Sequence, residues 1–111
     1  MKAASREAQS HVTGKLEELI RNADNSVAVA AQIGTELFLT VDQLDTERAL
    51  RIAVADTSLD SSQREGIIRD VFGNKVAEPT LNILIAAAQQ EWSTPREFRA
   101  GLVNLGRRAL E

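Results

Sequence analysis

The side chains that could do chemistry in this sequence are few and scattered. His11 is the only histidine. A metal centre needs two or three converging ligands, and no H-x-x-x-H or E-x-x-H spacing supplies His11 with a partner. The acids Glu17, Glu18, Asp42, Asp45, Asp56, Asp60 and Asp70 could pair for general acid–base work only if burial held one carboxyl protonated beside a charged neighbour. Each falls instead at a helix cap or on a polar face, where carboxylates are solvated. Serines gather at helix starts, where they cap, and none sits in a nucleophile elbow. Gly101 and Gly106 form no phosphate loop, since no strand precedes them and no Lys-Ser/Thr follows. The chain has no cysteine, hence no disulfide, thiolate metal site or thiol nucleophile. The expectation is a chain without active site, cofactor or metal.

The elements that would position any site are helical. A length of 111 residues suits a single domain. An apolar fraction of 43% supports a core, and with only Phe38, Phe72, Trp92 and Phe98 aromatic that core is aliphatic and alanine-rich. Net charge is −3 with no run of Lys and Arg, which argues against a nucleic-acid surface. The Met1–Ala4 start has no apolar signal segment. The longest apolar runs, Val27–Ala31 and Ile83–Ala88, are far too short to span a bilayer, so direct membrane insertion is not expected.

Periodicity and punctuation predict six helices in one compact bundle. The first covers about 3–22, with Ala8, Val12, Leu16, Leu19 and Ala23 inward. Ser26 is the expected N-cap of the second, about 27–44, whose stripe is Val27, Ala30, Gly34, Leu37, Phe38, Val41 and Leu44. Gly34 in mid-helix costs about 1 kcal/mol relative to Ala, which implies close packing against a neighbour. Asp45 is expected to cap a short third helix, about 46–55, buried through Leu50, Ala53 and Val54. Ser62 and Glu65 have capping-box spacing for the fourth, with Asp60 as the alternative cap. That helix buries Ile67, Ile68, Val71 and Phe72 and stops at Gly73-Asn74, in the manner of a C′ glycine. The fifth starts near Glu78 with Pro79 in its first turn. Thr94, Pro95 and Glu97 make a capping box for the sixth, which turns Phe98, Leu102, Leu105 and Ala109 inward. No useful segment alternates with period two.

The fifth helix admits two readings. Leu81, Leu84, Ile85, Ala88 and Trp92 share one face, yet Ile83, Ala86 and Ala87 lie opposite. A helix apolar all round is either sunk in the bundle or keeps a second face for a partner. Residues 63–88 also fit a helix-turn-helix loosely. The would-be recognition helix, however, has no Arg or Lys between Glu78 and Glu91, and base and phosphate contacts need such donors.

Several phrases, taken in order, resemble the N-terminal domain of the delta subunit of bacterial F-type ATP synthase, the counterpart of the mitochondrial oligomycin-sensitivity-conferring protein. They are Ala4-Ser5-Arg6-Glu7-Ala8, Glu36-Leu37-Phe38 with Val41-Asp42-Gln43-Leu44-Asp45, Arg48-Ala49-Leu50-Arg51, Asp56-Thr57-Ser58, Val71-Phe72-Gly73-Asn74-Lys75-Val76 and Trp92-Ser93-Thr94-Pro95-Arg96-Glu97. The first leucine–phenylalanine phrase and the tryptophan–proline phrase look most like actinobacterial members. The resemblance runs over essentially all 111 residues. Similar members often carry a proline near Thr57, absent here, and a basic residue at Arg64, retained here. The family's glycine-rich signature belongs to a C-terminal domain that this sequence does not contain.

The resemblance implies a six-helix bundle and a non-catalytic role in the peripheral stalk, the stator that keeps the catalytic head from turning. It implies binding of N-terminal helices of the alpha subunits, principally through the first and fifth helices. The stalk's b subunit would be engaged mainly through the C-terminal domain, at the cytoplasmic face of the bacterial membrane. The expected groove has Ile83, Ala86, Ala87 and Gln90 on one wall and Gln9, Thr13, Leu16 and Ile20 on the other. On that reading Ala87→Arg blocks the partner and leaves the fold nearly intact. The alternatives are a stand-alone adaptor of the death-domain type, also six-helical, and the helix-turn-helix DNA binder.

Overall fold

The computed structural model describes residues 1–111. Six helices follow in order: α1 (Ala3–Arg21), α2 (Ser26–Thr46), α3 (Arg48–Val54), α4 (Ser61–Phe72), α5 (Glu78–Ala88) and α6 (Pro95–Leu110). No residue enters a strand, and the all-α, six-helix architecture expected from periodicity is the one that forms. The bundle measures 38 × 30 × 23 Å.

Local chemistry sets most helix starts, with some reassignments. Asn25, not Ser26, caps α2: its Oδ1 accepts the Ala28 N–H at 3.1 Å. The Ser26 hydroxyl donates back to the Ile20 carbonyl at 2.9 Å and fastens the α1–α2 turn. Asp60 caps α4 in a full box with Gln63, rather than Ser62 with Glu65. Thr94 caps α6 and Pro95 follows at N1. Glu97 leaves its expected box and instead accepts the Lys2 N–H at 2.8 Å, capping the start of α1 across the fold. Asp45 caps nothing, because α2 continues through it to Thr46. Gly73 ends α4 in ordinary right-handed geometry, φ −54°, ψ −32°, so it is not a left-handed C′ glycine.

The long pair α2 and α6 packs closely along its length. Gly34 on α2 faces Leu110 and the Gly106 carbonyl, and Gly106 faces the Phe38 ring. The mid-helix glycine cost inferred from sequence is therefore offset by close approach of the two backbones. The α2 core line is Ile33, Gly34, Leu37, Thr40, Val41 and Leu44. Val27, expected in that line, is 82% exposed, because it sits in the first turn of α2, where no helix covers it.

α5 lies at the centre, against α1, α2 and α4. Ile83 through Ala88 are all buried. A run of six apolar residues leaves no polar face, so the helix is stable only where neighbours cover it on every side. Its ends are held by side chains from outside the helix. At the N-terminus the Glu36 carboxylate accepts the Ala77 N–H at 3.1 Å and the Thr80 hydroxyl at 2.6 Å. At the C-terminus Arg64 donates from Nε to the Ala88 carbonyl at 2.6 Å, and Trp92 Nε1 donates to the Ala87 carbonyl at 2.8 Å. An acid at the positive end and a guanidinium at the negative end both complement the helix dipole. These partners also explain why α5 stops at Ala88. Trp92, expected on its face, lies beyond it and folds back into the core, edge-on to Phe98 with centroids 5.8 Å apart.

The Trp92 ring lies directly over Gly101 of α6, and a Cβ there would collide with Cη2 and Cζ3 of the indole. Gly101→Ala should therefore destabilise by about 1–2 kcal/mol, overpacking outweighing the better helix propensity of alanine. Urea denaturation checks this. An increase in stability would show that the indole has room to move.

Candidate protein-binding surface

The eight residues expected to line one groove occupy four different environments. Leu16, Ile83 and Ala87 are fully buried and Ala86 nearly so. As placed, these four belong to the domain's own core, which corrects the expected second face of α5. The physical reason is that α1 and α4 flank α5 on both sides and close over it.

Gln9 and Thr13 lie on the flank of α1 that faces α6, not α5. The Gln9 amide spans 3.4 Å to the Gly101 carbonyl and accepts from Asn104 at 3.4 Å. Both residues line a polar cleft with Asn104, Arg107 and Arg108. One turn further on, Glu17 pairs with Arg108 at 3.0 Å. Ile20 contributes to a separate apolar groove with Val27, Ala30, Ala31 and Leu110. Only Gln90 remains at an accessible α1–α5 junction.

That junction is open at one end of the bundle. Ala4, Glu7 and Ala8 of α1 face Gln89, Gln90 and Glu91 beyond α5 across a cleft of about 250 Å³. Ala4 and Glu7 are exposed, and Ala8 forms a buried floor. Small residues on one wall let a foreign backbone come close, while Glu7 and Glu91 give the rim a negative charge. The groove expected from sequence does not include Ala4, Glu7, Gln89 and Glu91. That expectation placed the α5-facing side of α1 on the wrong flank of the core stripe, and periodicity fixes a buried stripe without saying which neighbour lies to either side.

No three His, Cys, Asp or Glu side chains come together where they could hold a metal ion, and His11 is exposed. No helix is long and apolar enough to cross a membrane. The helix-turn-helix reading fails on geometry, since its recognition helix would be α5, whose residues 83–88 are buried and cannot enter a groove of DNA.

No family model matches the chain. Curated relatives do. The chain is 62% identical over 110 residues to ATP synthase subunit delta of Corynebacterium efficiens. It is 61% identical to the subunit so named in Corynebacterium glutamicum and 50% identical to that of Corynebacterium diphtheriae. Each match takes in 99% of this chain and only 40–41% of the relative's length. Identity of this order along nearly the whole chain makes this six-helix bundle similar to a stretch of about two fifths of proteins named ATP synthase subunit delta.

Proposed function

We propose that this chain is a non-catalytic stator domain that helps hold the catalytic head of F-type ATP synthase by receiving an N-terminal helix of an alpha subunit. The observation that carries this reading is the 62% identity over 99% of the chain to a protein named ATP synthase subunit delta. The chain spans two fifths of that relative, so the activity of the whole subunit, and any hold on the b subunit, belongs to the proposal too. A stator must resist torque, which asks for a rigid body and a multi-turn contact rather than for reacting groups. A bundle with its central helix pinned at both ends is such a body.

The α1–α5 cleft is the place we assign to the alpha helix, with Ala8 as floor and Ala4, Glu7, Gln90 and Glu91 as rim. The rim charge favours an incoming helix with basic residues. Titration with a synthetic alpha-subunit N-terminal peptide, followed by amide chemical shifts and calorimetry, tests it. Ala4→Arg adds bulk and like charge at an exposed site. It should weaken binding at least about tenfold, or ~1.4 kcal/mol, without altering the melt. Gln32→Arg on the exposed side of α2 should change nothing. Equal affinities for the two variants would place the contact elsewhere, and no binding by the unmodified chain would remove the proposal.

A further inference from the structure

The most voluminous concavity of the molecule, about 530 Å³, lies between α3 and the start of α6, away from the α1–α5 cleft. Four arginines line it, Arg48 and Arg51 on α3 and Arg96 and Arg99 on α6, together with Asp45, Ile52 and Pro95. This gathering of cations stands out in a chain of net charge −3. Its one carboxylate is already taken: Arg99 donates from Nε and Nη2 to the two oxygens of Asp45 at 2.6 and 2.8 Å. That hydrogen-bonded fork holds the Asp45 carboxyl below the usual carboxylate range. Arg51 reaches only the Leu44 carbonyl, at 3.4 Å. Arg48 and Arg96 take part in none of the three ion pairs of the chain. With one lining carboxylate to four arginines, the excess of like charge raises the energy of the folded state, so the grouping is not explained by stability.

The spacing narrows the ligand. Arg48 and Arg51 are three apart on α3 and present two guanidiniums one turn apart, and with Arg99 held by Asp45 α6 adds Arg96 across the cleft. Ile52 adds an apolar wall that is 44% exposed. A lone phosphate fits this poorly. The free guanidiniums are spread over two helices, and the first turn of α6 is largely spent, with Pro95 lacking an N–H and the Glu97 N–H given to Thr94. Carboxylates one turn apart on a helix match rows of guanidinium forks.

We propose that this cleft docks an acidic helical segment of a partner protein, whose carboxylates take Arg48, Arg51 and Arg96 and whose apolar side chain covers Ile52. The contact is independent of the α1–α5 cleft and does not rest on the alpha-subunit reading.

The test titrates the 111-residue chain with a capped helical peptide carrying glutamates at i, i+4 spacing. A copy with glutamine for glutamate and inorganic phosphate serve as separate arms. Amide and arginine Nε–H shifts are followed at low salt. The expected result is saturable binding of the glutamate peptide, with shifts confined to residues 45–52 and 95–99 and affinity falling as salt is raised. The glutamine peptide should not bind. Arg48→Glu with Arg96→Glu, both at exposed positions, should weaken binding about tenfold or more with an unchanged melt. Three results would each overturn the proposal: no saturable binding, equal binding by the double variant or by the glutamine peptide, or phosphate producing the same shifts at comparable concentration.

Discussion

Ala87→Arg should unfold this chain rather than alter its surface. Ala87 is fully buried in a helix enclosed by α1, α2 and α4. Its carbonyl already holds the Trp92 indole at 2.8 Å. An arginine there has no carboxylate to meet. It would have to desolvate a guanidinium in an apolar core or push α5 out of the bundle. An unpaired buried charge and gross overpacking together cost roughly 4–5 kcal/mol or more. That is a large share of the 5–15 kcal/mol that about any domain of this size has in hand. Circular dichroism at 222 nm with a thermal melt should show lost cooperativity or a collapse of the midpoint. Leu84→Ala, at a site equally closed to solvent, should fold but lose about 2–5 kcal/mol through the cavity left behind. A near-native melt for Ala87→Arg would mean that α5 keeps an open face, and the alpha-helix groove first expected from sequence would return to consideration.

That reversal marks where the sequence could be read and where it could not. The buried stripes of α1 and α6 follow from 3.6-residue periodicity, because Ala8, Val12 and Leu16, and Phe98, Leu102, Leu105 and Ala109, each lie on one line with polar residues opposite. The Thr94-Pro95 start of α6 is equally local chemistry and was legible for that reason. α5 carries no such contrast. Six apolar residues in a row are compatible with burial on all sides or with a partner face, and only the tertiary neighbours decide. The α1–α5 cleft was misread for a related cause: Gln9 and Thr13 flank the α1 stripe as well as Ala4 and Glu7 do, and only the fold shows that α6 takes one flank and α5 the other. The polar caps of α5 were invisible too. Glu36 and Arg64 act on residues 41 and 24 positions away, distances at which no local pattern reports.

Arg64 gives the second large expectation. It is 3% exposed and has no carboxylate in an ion pair. Its guanidinium instead serves main-chain oxygens: Ala88 at 2.6 Å, Asp56 at 3.2 Å, Gln89 at 3.5 Å and, in a close contact, Leu59. One side chain thereby ties the end of α5 to the 56–60 loop and to α4. Removing it differs from replacing both partners of a polar pair, since the carbonyls stay behind with nothing to receive. Arg64→Met keeps the volume approximately and should cost about 3–5 kcal/mol, from two or three orphaned acceptors at roughly 1–3 kcal/mol each. Arg64→Lys restores the charge but not the planar fork and should recover only part of the loss. The contrast is Arg69→Ala, which breaks an exposed i,i+4 pair with Glu65 and should cost no more than about 0.5 kcal/mol. Salt separates the two mechanisms, because an exposed pair is screened and a buried network is not. In 1 M salt the Arg69 effect should vanish while the Arg64→Met deficit persists. Native-state hydrogen exchange supplies the structural readout: amides of the 56–60 loop and the last turn of α5 should lose protection before those of the α2–α6 pair. A deficit that disappears in salt, or uniform loss of protection across all six helices, would mean that Arg64 contributes through general charge rather than by clasping these carbonyls.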